Sequence, residues 1–394
     1  MNKKLLQGIR VVDFTWALTG PIATKHLSDL GAEVIKIESR VRLDIQRTGS
    51  KFGSFNQHNT GKLAITVNLK NPRGLELIKQ LIARSDIVVE NFAGGAMEKM
   101  GLGYEVLKKL KPDIIMCSSC MQGQTGPFAR HPGIGFRLTA LSGFNHITGW
   151  PDRQPGWIGA YTDFIAPRYI ILAIMAALEY RCRTGKGQYL DLSQFEGGVQ
   201  LMAPLLLDYA VNRWEVNRMG NECPYAAPHN AYRCLGEDRW CAISVFTDEE
   251  WKSFCRVIGN PTLFEDPRFA TLLARKENEE ELDKIVTEWT SSRSAEEVMN
   301  AMQAAGVPAG VLQTGEDLME KDPQLKYRHF FYELEHPEVG KYRTNCGAHF
   351  KLSKYEYDLV RAPLLGEHNE YVFKEILGIS SAEYDRLVEE GVIY

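Results

Sequence analysis

The chain has 394 residues, 44% hydrophobic and 24% charged, which is the composition of an ordinary globular protein with length for roughly two domains. Lys and Arg number 46 against 50 Asp and Glu, a formal net charge of -4. No global basic field therefore points to nucleic acid or an anionic membrane, and partners are expected among small molecules and other chains. The amino-terminal stretch MNKKLLQGIRVVDF loses its apolar character within a few residues and has no cleavage-site pattern, which argues against secretion. The longest apolar run, Ile170 to Leu178, is far short of the roughly 18 to 20 residues that span a bilayer, so no transmembrane helix is expected and the predicted location is cytoplasmic. Eight cysteines without a secretory signal read as reduced thiols. Cys117 and Cys120 form a CxxC, but they follow an apolar run and lack the second ligand pair that zinc needs or the helix start that a redox dithiol needs.

In chain order, Ile9 to Phe14 is too short an apolar run for a helix and reads as a strand. Gly20-Pro21 opens a helix that Gly31 closes before the strand-like Glu33 to Ile37, completing a βαβ unit. Ala64 to Leu69 reads as the next strand, Asn71 as an N-cap with Pro72 at the first helical position, and Asp86 to Glu90 as a further strand. A helix over Tyr104 to Leu110 leads to the strand Asp113 to Met116. The expected fold class is α/β, a mostly parallel sheet with covering helices. From Gln122 to Pro167 the chain is rich in Gly, Pro and aromatics, the kind of irregular stretch in which a site is sought. A buried helix is predicted from about Pro167 to Arg183, then a strand over Gln188 to Leu192. Arg218 to Tyr232 reads as a linker, followed by a strand over Trp240 to Val245 and charged helices. The domain plan is 1–205 for the first part of a large domain, 206–232 linker, 233–335 small domain and 336–394 return to the large domain.

Asp163 lies among aromatic and aliphatic neighbours ahead of the helix predicted at Pro167. A helix amino terminus favours a carboxylate and can bind an oxyanion, which suits a nucleophile; an Asp that merely caps the helix fits the same spacing. Gly94-Gly95, Gly101-Leu102-Gly103 and Gly133-Ile134-Gly135 match neither the dinucleotide nor the P-loop fingerprint. The histidines form no metal-binding motif, and no serine lies in a nucleophile elbow. The residues alone point to an α/β enzyme using carboxylate chemistry without a metal.

Over nearly its full length the chain resembles the class III coenzyme A transferases, the family of formyl-CoA:oxalate and carnitine CoA-transferases. The motifs that carry this are Gly8 to Phe14 with Gly20-Pro21, Gly31 to Glu38, Asp86 to Phe92, Ala177 to Arg181 with Thr184 to Gln188, Gly306 to Gly310, Asp322 to Leu325, and Pro363 to Asn369. The resemblance implies a Rossmann-like large domain built from both termini, a smaller α+β domain, and an interlocked dimer. It implies CoA as a substrate, with acyl-CoA and carboxylic acids as partners of the reaction.

By the same resemblance Asp163 takes the place of the catalytic aspartate, which forms an anhydride with the donor acyl group and then an aspartyl-CoA thioester. Asn91, Phe92, Ala96 and Lys99 fall near the nucleotide and pantetheine, Val67 lines the adenine pocket, and Arg40 or its neighbour Ser39 meets a phosphate. Trp16 and Leu18 stand where the formyl-CoA enzyme has polar residues, and Phe136 and Arg137 follow Gly135 in place of a tyrosine segment. A larger, more apolar acyl group is thereby implied. Arg137 or His229 can pair with a second carboxylate of a dicarboxylic substrate. The stretch from Gly149 to Phe164 is similar to the branch handling aromatic or branched acids, benzylsuccinate among them. The assembly is a homodimer or a heteromer with a paralogous subunit; an acyl-CoA racemase or isomerase on the same fold, and a non-catalytic subunit, are the alternative readings.

Overall fold

A computed structural model describes residues 4–48 and 54–394, so the first three residues of the amino-terminal stretch read above lie outside the described residues. Two compact units divide the chain: one comprises Met1–Phe144, Ile158–Glu215 and Lys326–Tyr394, the other Asn145–Trp157 and Val216–Leu325.

The first unit is built on six parallel strands: β1 (Arg10–Asp13), β2 (Glu33–Glu38), β3 (Leu63–Thr66), β4 (Ile87–Glu90), β5 (Ile115–Cys120) and β6 (Tyr189–Ser193). Their order is β3-β2-β1-β4-β5-β6, the doubly wound arrangement in which the chain reverses direction across the sheet between β1 and β4. The central strands β1, β4 and β5 are buried along nearly their whole length, because helices cover both faces and leave no side for polar alternation. The connecting helices are α1 (Thr19–Asp29), α2 (Pro72–Ala83), α3 (Ala96–Lys99), α4 (Tyr104–Leu110), α5 (Gly135–Leu141) and α6 (Tyr161–Thr184), with α7 (Gln194–Leu201) and α8 (Ala203–Asn212) after the last strand.

The start of α2 is set locally. Asn71 is its N-cap, accepting from the Arg73 amide at 2.9 Å, and Pro72 sits at the first helical position, where its missing N–H costs nothing. Helix α6 begins at Tyr161, six residues before the predicted start, so Pro167 lies inside it. Proline supplies no amide to the carbonyl four residues earlier, which leaves the backbone oxygen of Asp163 without its helical donor. This helix is also long and apolar enough, by length and composition, to cross a membrane. Its residues Ile170, Ile174, Ala177 and Leu178 pack with Val11, Val34, Val89 and Ile115 of the sheet, while Leu172 and Met175 are exposed.

In the second unit β7 (His229–Arg233), β8 (Trp240–Ser244) and β9 (Ala309–Val311) form an antiparallel sheet. Its core takes Trp251 and Phe254 from α9 (Asp248–Val257), Leu282 and Val286 from α10 (Glu279–Thr290), and Val298 and Met302 from α11 (Ala295–Ala304). The predicted linker thus ends in the strand β7.

Beyond it the hairpin β10 (Phe331–His336) and β11 (Gly340–Asn345) returns the chain to the first unit. The carboxyl-terminal helix α12 (Ser381–Glu389) precedes a closing segment that docks on the β3 edge. There the Asn68 amide donates to the Val392 carbonyl at 2.9 Å, and the Thr66 amide to Asn369 at 2.8 Å. The Rossmann-like unit is therefore built from both ends of the chain.

A charged network lies inside this unit at the end of β1. Lys62 donates to Asp13 at 3.1 Å, both side chains fully buried, and Thr15 returns its amide to Asp13 at 2.8 Å. Burial favours the neutral acid at Asp13, but Lys62, Lys36 and the hydroxyls of Thr15 and Thr24 overcome it and hold the carboxyl below its ordinary range. Burial likewise brings Lys62 down to about 8, so both partners stay charged at neutral pH. Removing only one of them strands a buried charge. Lys62→Met is expected to cost about 3–5 kcal/mol in urea unfolding, with part of that loss recovered in the double variant Asp13→Asn/Lys62→Met.

Candidate active site

The loop after β1 runs from Phe14 to Leu18 and is fixed by side chains from three other strands or loops. Asn91, just after β4, accepts from the Trp16 amide at 3.0 Å and donates to the Trp16 carbonyl at 2.9 Å. Lys36 of β2 donates to the Thr15 carbonyl at 2.5 Å, and Asp44 accepts from the Ala17 amide at 3.1 Å. These contacts hold Ala17 at a φ of 61°, a left-handed conformation uncommon for a side chain other than glycine. The loop lies at the carboxyl ends of β1 and β4, on the reversal point where doubly wound sheets receive ligands.

Around Trp16 gather several residues singled out from the sequence. Phe92 meets it edge-on with ring centres 6.4 Å apart, and the Arg42 guanidinium lies 4.2 Å from its ring centre. Phe92 is fixed in turn by its amide, which donates to the Glu90 carboxylate at 2.7 Å. Burial pushes Glu90 up to about 7, and the Gln124 amide bonds it at 3.2 Å while accepting from the Gly95 amide at 3.0 Å. Ala96 and Lys99 follow on the short helix α3, with Lys99 exposed. Arg40 is exposed as well; the nearer cation to Trp16 is Arg42, which the sequence reading did not pick out. Val67 is buried in the core beside Ile393 rather than open to solvent.

Asp163, the third residue of α6, is half-buried. It is not the N-cap: that position is Ala160, which has no side chain able to cap and whose carbonyl receives the Asp163 amide at 3.0 Å. Its carboxylate lies against the α-carbon of Gly135 so closely that a β-carbon there would fall 2.3–2.5 Å from the carboxylate atoms. The Gly135 carbonyl accepts from the Thr139 hydroxyl at 3.1 Å and from the Thr162 hydroxyl at 3.4 Å. Burial pushes Asp163 up to about 6, opposed by a hydrogen bond from the Thr19 hydroxyl at the start of α1. At neutral pH it is a desolvated, ionised carboxylate, the state a nucleophile requires.

Gly135 is thus brought to Asp163, with Phe136 exposed beside it. The Arg137 guanidinium turns back on its own loop, donating to the Pro132 carbonyl and lying 3.4 Å from His131. His229 belongs to the second unit, where its ring contacts the Asn221 carbonyl at 2.7 Å. Leu18 is half-buried on the β1 loop. Cys117 and Cys120 are buried in β5, and burial drives their thiols to about 12 and about 11, away from the thiolate that redox or metal chemistry uses. No group of three or more His, Cys, Asp or Glu suited to a metal ion occurs among the described residues.

The sequence model for CoA-transferase family III matches residues 6–369. The chain belongs to CoA-transferase family III. It is 34% identical to the succinyl-CoA:glutarate CoA-transferase of Mus musculus, covering all of this chain and 91% of that protein. It is 33% identical to the succinyl-CoA–D-citramalate CoA-transferase of Chloroflexus aurantiacus, with 98% of each covered. Among solved structures, a CaiB/BaiF family protein from Brucella suis superimposes with a TM-score of 0.87 at 33% identity, over 94% of this chain and 99% of that one. As a member of family III the chain is a CoA-transferase, acting on an acyl-CoA and a carboxylic acid.

The Gly135 contact makes a direct prediction for this CoA-transferase. Gly135→Ala forces the Asp163 carboxylate to move, and on the expectation that Asp163 is the reacting group, a displacement of about 1 Å costs roughly 100-fold in turnover. The variant is expected to stay folded by circular dichroism while CoA transfer falls by that order.

Proposed function

We propose that the enzyme transfers CoA from succinyl-CoA to a second short dicarboxylic acid, with Asp163 as the covalent relay. One Asp163 oxygen attacks the thioester carbonyl, the C–S bond breaks, and an aspartyl anhydride forms with release of CoA thiolate. The thiolate then attacks the aspartyl carbonyl, breaking its bond to the anhydride oxygen and freeing the donor acid. The acceptor carboxylate runs the same two steps in reverse on the aspartyl-CoA thioester. The observation that carries this reading is the desolvated carboxylate of Asp163, seated on Gly135 and ionised above about pH 6. Burial from water also protects an anhydride from hydrolysis. The dicarboxylic class is supported by the relatives named for glutarate and citramalate. The aromatic or branched acids expected from the Gly149 to Phe164 stretch are the competing acceptor class.

In this reading the Trp16, Asn91 and Phe92 cluster receives the nucleotide part of CoA, with Arg42, Arg40 and Lys99 as the nearby cations. The enzyme works as an assembly with a second copy or a paralogue. Leu172, Leu206, Leu207, Val211 and Trp214 of the first unit are exposed and apolar, a surface suited to another chain. A relative in Chloroflexus aurantiacus is named as the beta subunit of a succinyl-CoA–L-malate CoA-transferase. All eight cysteines are free thiols, which supports a reducing, cytoplasmic setting.

Two measurements test the relay. Incubation with succinyl-CoA and hydroxylamine is expected to convert Asp163 to its hydroxamate, located by peptide mass spectrometry, and Asp163→Asn to abolish both the adduct and turnover. Solvent deuterium entering the carbon next to the thioester without acid exchange would instead favour the racemase reading, and full turnover in Asp163→Asn would make this chain a non-catalytic subunit. The second measurement is pH dependence. The carboxylate is the active form, so kcat/KM is expected to fall as pH drops through about 6, well above the ordinary range for Asp.

A further inference from the structure

Residues 92–95 join β4 to α3 and belong to neither a strand nor a helix, so their backbone has to be held by other groups. They begin with Phe92, the ring that meets Trp16 edge-on. Glu90, 1% exposed, accepts from the Phe92 amide at 2.7 Å with one carboxylate oxygen and from the side-chain amide of Gln124 at 3.2 Å with the other. The Gln124 side-chain oxygen accepts in turn from the Gly95 amide at 3.0 Å. An N–H can only donate and a carboxylate can only accept, so the Gln124 oxygen has to face Gly95 and its NH2 has to face Glu90. One side chain therefore ties the far end of the segment to the carboxylate that fixes its near end.

The loop that carries Gln124 lies directly on the same segment. The Gly94 amide donates to the Ala129 carbonyl at 3.2 Å, and a β-carbon at Gly94 would fall 2.9 Å from that oxygen. The loop has anchors of its own elsewhere. The Gln124 backbone amide donates to the two oxygens of Asp191 on β6 at 3.0 and 3.1 Å, and the Met121 carbonyl accepts from the Phe195 amide at 2.9 Å. Further along, Gly135 at the Asp163 carboxylate has its carbonyl bonded by Thr139 and Thr162. None of these bonds uses the Gln124 side chain. Its removal is expected to release residues 92–95 while the loop and the neighbourhood of Asp163 keep their own bonds.

We infer that Gln124 is a positioning residue for coenzyme A, holding residues 92–95 in the conformation that receives the nucleotide. This rests on the reading of the Trp16, Asn91 and Phe92 cluster as the place where the nucleotide binds. Leucine at position 124 would leave the Gly95 N–H and a buried Glu90 oxygen without their partner, and groups stranded in this way favour other conformations. A ligand that binds only one conformation loses affinity in proportion to the fraction of molecules that hold it. The acyl end of the substrate and the attacking carboxylate are untouched by this change, so the effect belongs to CoA affinity and not to the chemical step.

The test compares the wild-type enzyme with Gln124→Leu and Phe92→Ala in the full chain. CoA binding is measured by titration calorimetry with CoA alone, and turnover by exchange of labelled succinate into succinyl-CoA and into succinyl-pantetheine, which lacks the nucleotide. Gln124→Leu is expected to raise the Kd of CoA and the KM of succinyl-CoA by about tenfold, the worth of one or two hydrogen bonds, with kcat unchanged. Its kcat/KM with succinyl-pantetheine should match the wild type. If Gln124→Leu fails to fold, Glu90→Gln gives the same readouts, because an amide there cannot accept from both the Phe92 and the Gln124 donors. An unchanged CoA Kd in Gln124→Leu while Phe92→Ala weakens binding would overturn the role of Gln124 and leave the nucleotide site standing. A fall in kcat at unchanged KM, or an equal loss with succinyl-pantetheine, would overturn it as well. An unchanged CoA Kd in Phe92→Ala would overturn the placement of the nucleotide, and this inference with it.

Discussion

The carboxylate of Asp163 occupies the space that any side chain at position 135 would need. That steric fact organises the site. It requires glycine at the start of α5, brings α5 and α6 into contact at their first turns, and removes much of the carboxylate from water. Desolvation makes the carboxylate less stable and hence more nucleophilic than a surface aspartate, while leaving it ionised at neutral pH. The Gly135 carbonyl beneath it accepts hydrogen bonds from the Thr139 and Thr162 hydroxyls.

The remainder of the first unit supports this contact from the opposite side. Parallel strands buried on both faces put their carboxyl ends along one rim, and the reversal between β1 and β4 opens that rim for a ligand. The β1 loop is then fixed by polar side chains rather than by packing: Asn91 on Trp16, Lys36 on Thr15, Asp44 on Ala17. Buried polar groups of this sort are costly unless fully paired, and here they serve to hold one loop conformation, including the left-handed Ala17. Preorganisation at the loop and desolvation at the carboxylate are complementary, since both are established when the chain folds and need not be created at the moment of reaction.

Much of this was legible in the sequence where a local rule has no competitor. Asn71-Pro72 fixed a helix start to the residue, and the short apolar runs before and after it located the parallel strands because each is bounded by turn residues. Pro167 misled for a physical reason: proline is common at a first helical position, yet α6 accommodates it within the helix at the expense of one backbone bond. The strand β7 was read as linker because RMGNECPYAAP carries turn signals up to its first residue. Asp163 and Gly135 were both singled out, but their contact spans loops that no periodicity links. Asn91 was legible as a residue of interest, whereas its role as a clamp on Trp16 follows only from the fold.

In the proposed relay Asp163 exchanges oxygen with its substrates, and a labelling experiment tests this without any variant. With the acceptor carboxylate enriched in heavy oxygen and many turnovers allowed, the relay leaves one acceptor oxygen on the aspartyl carboxylate in each cycle and passes it to the next donor acid released. Peptide mass spectrometry is expected to find heavy oxygen in the peptide containing Asp163, and the released succinate to carry it as well. An unlabelled Asp163 peptide after many turnovers of CoA transfer would contradict the relay.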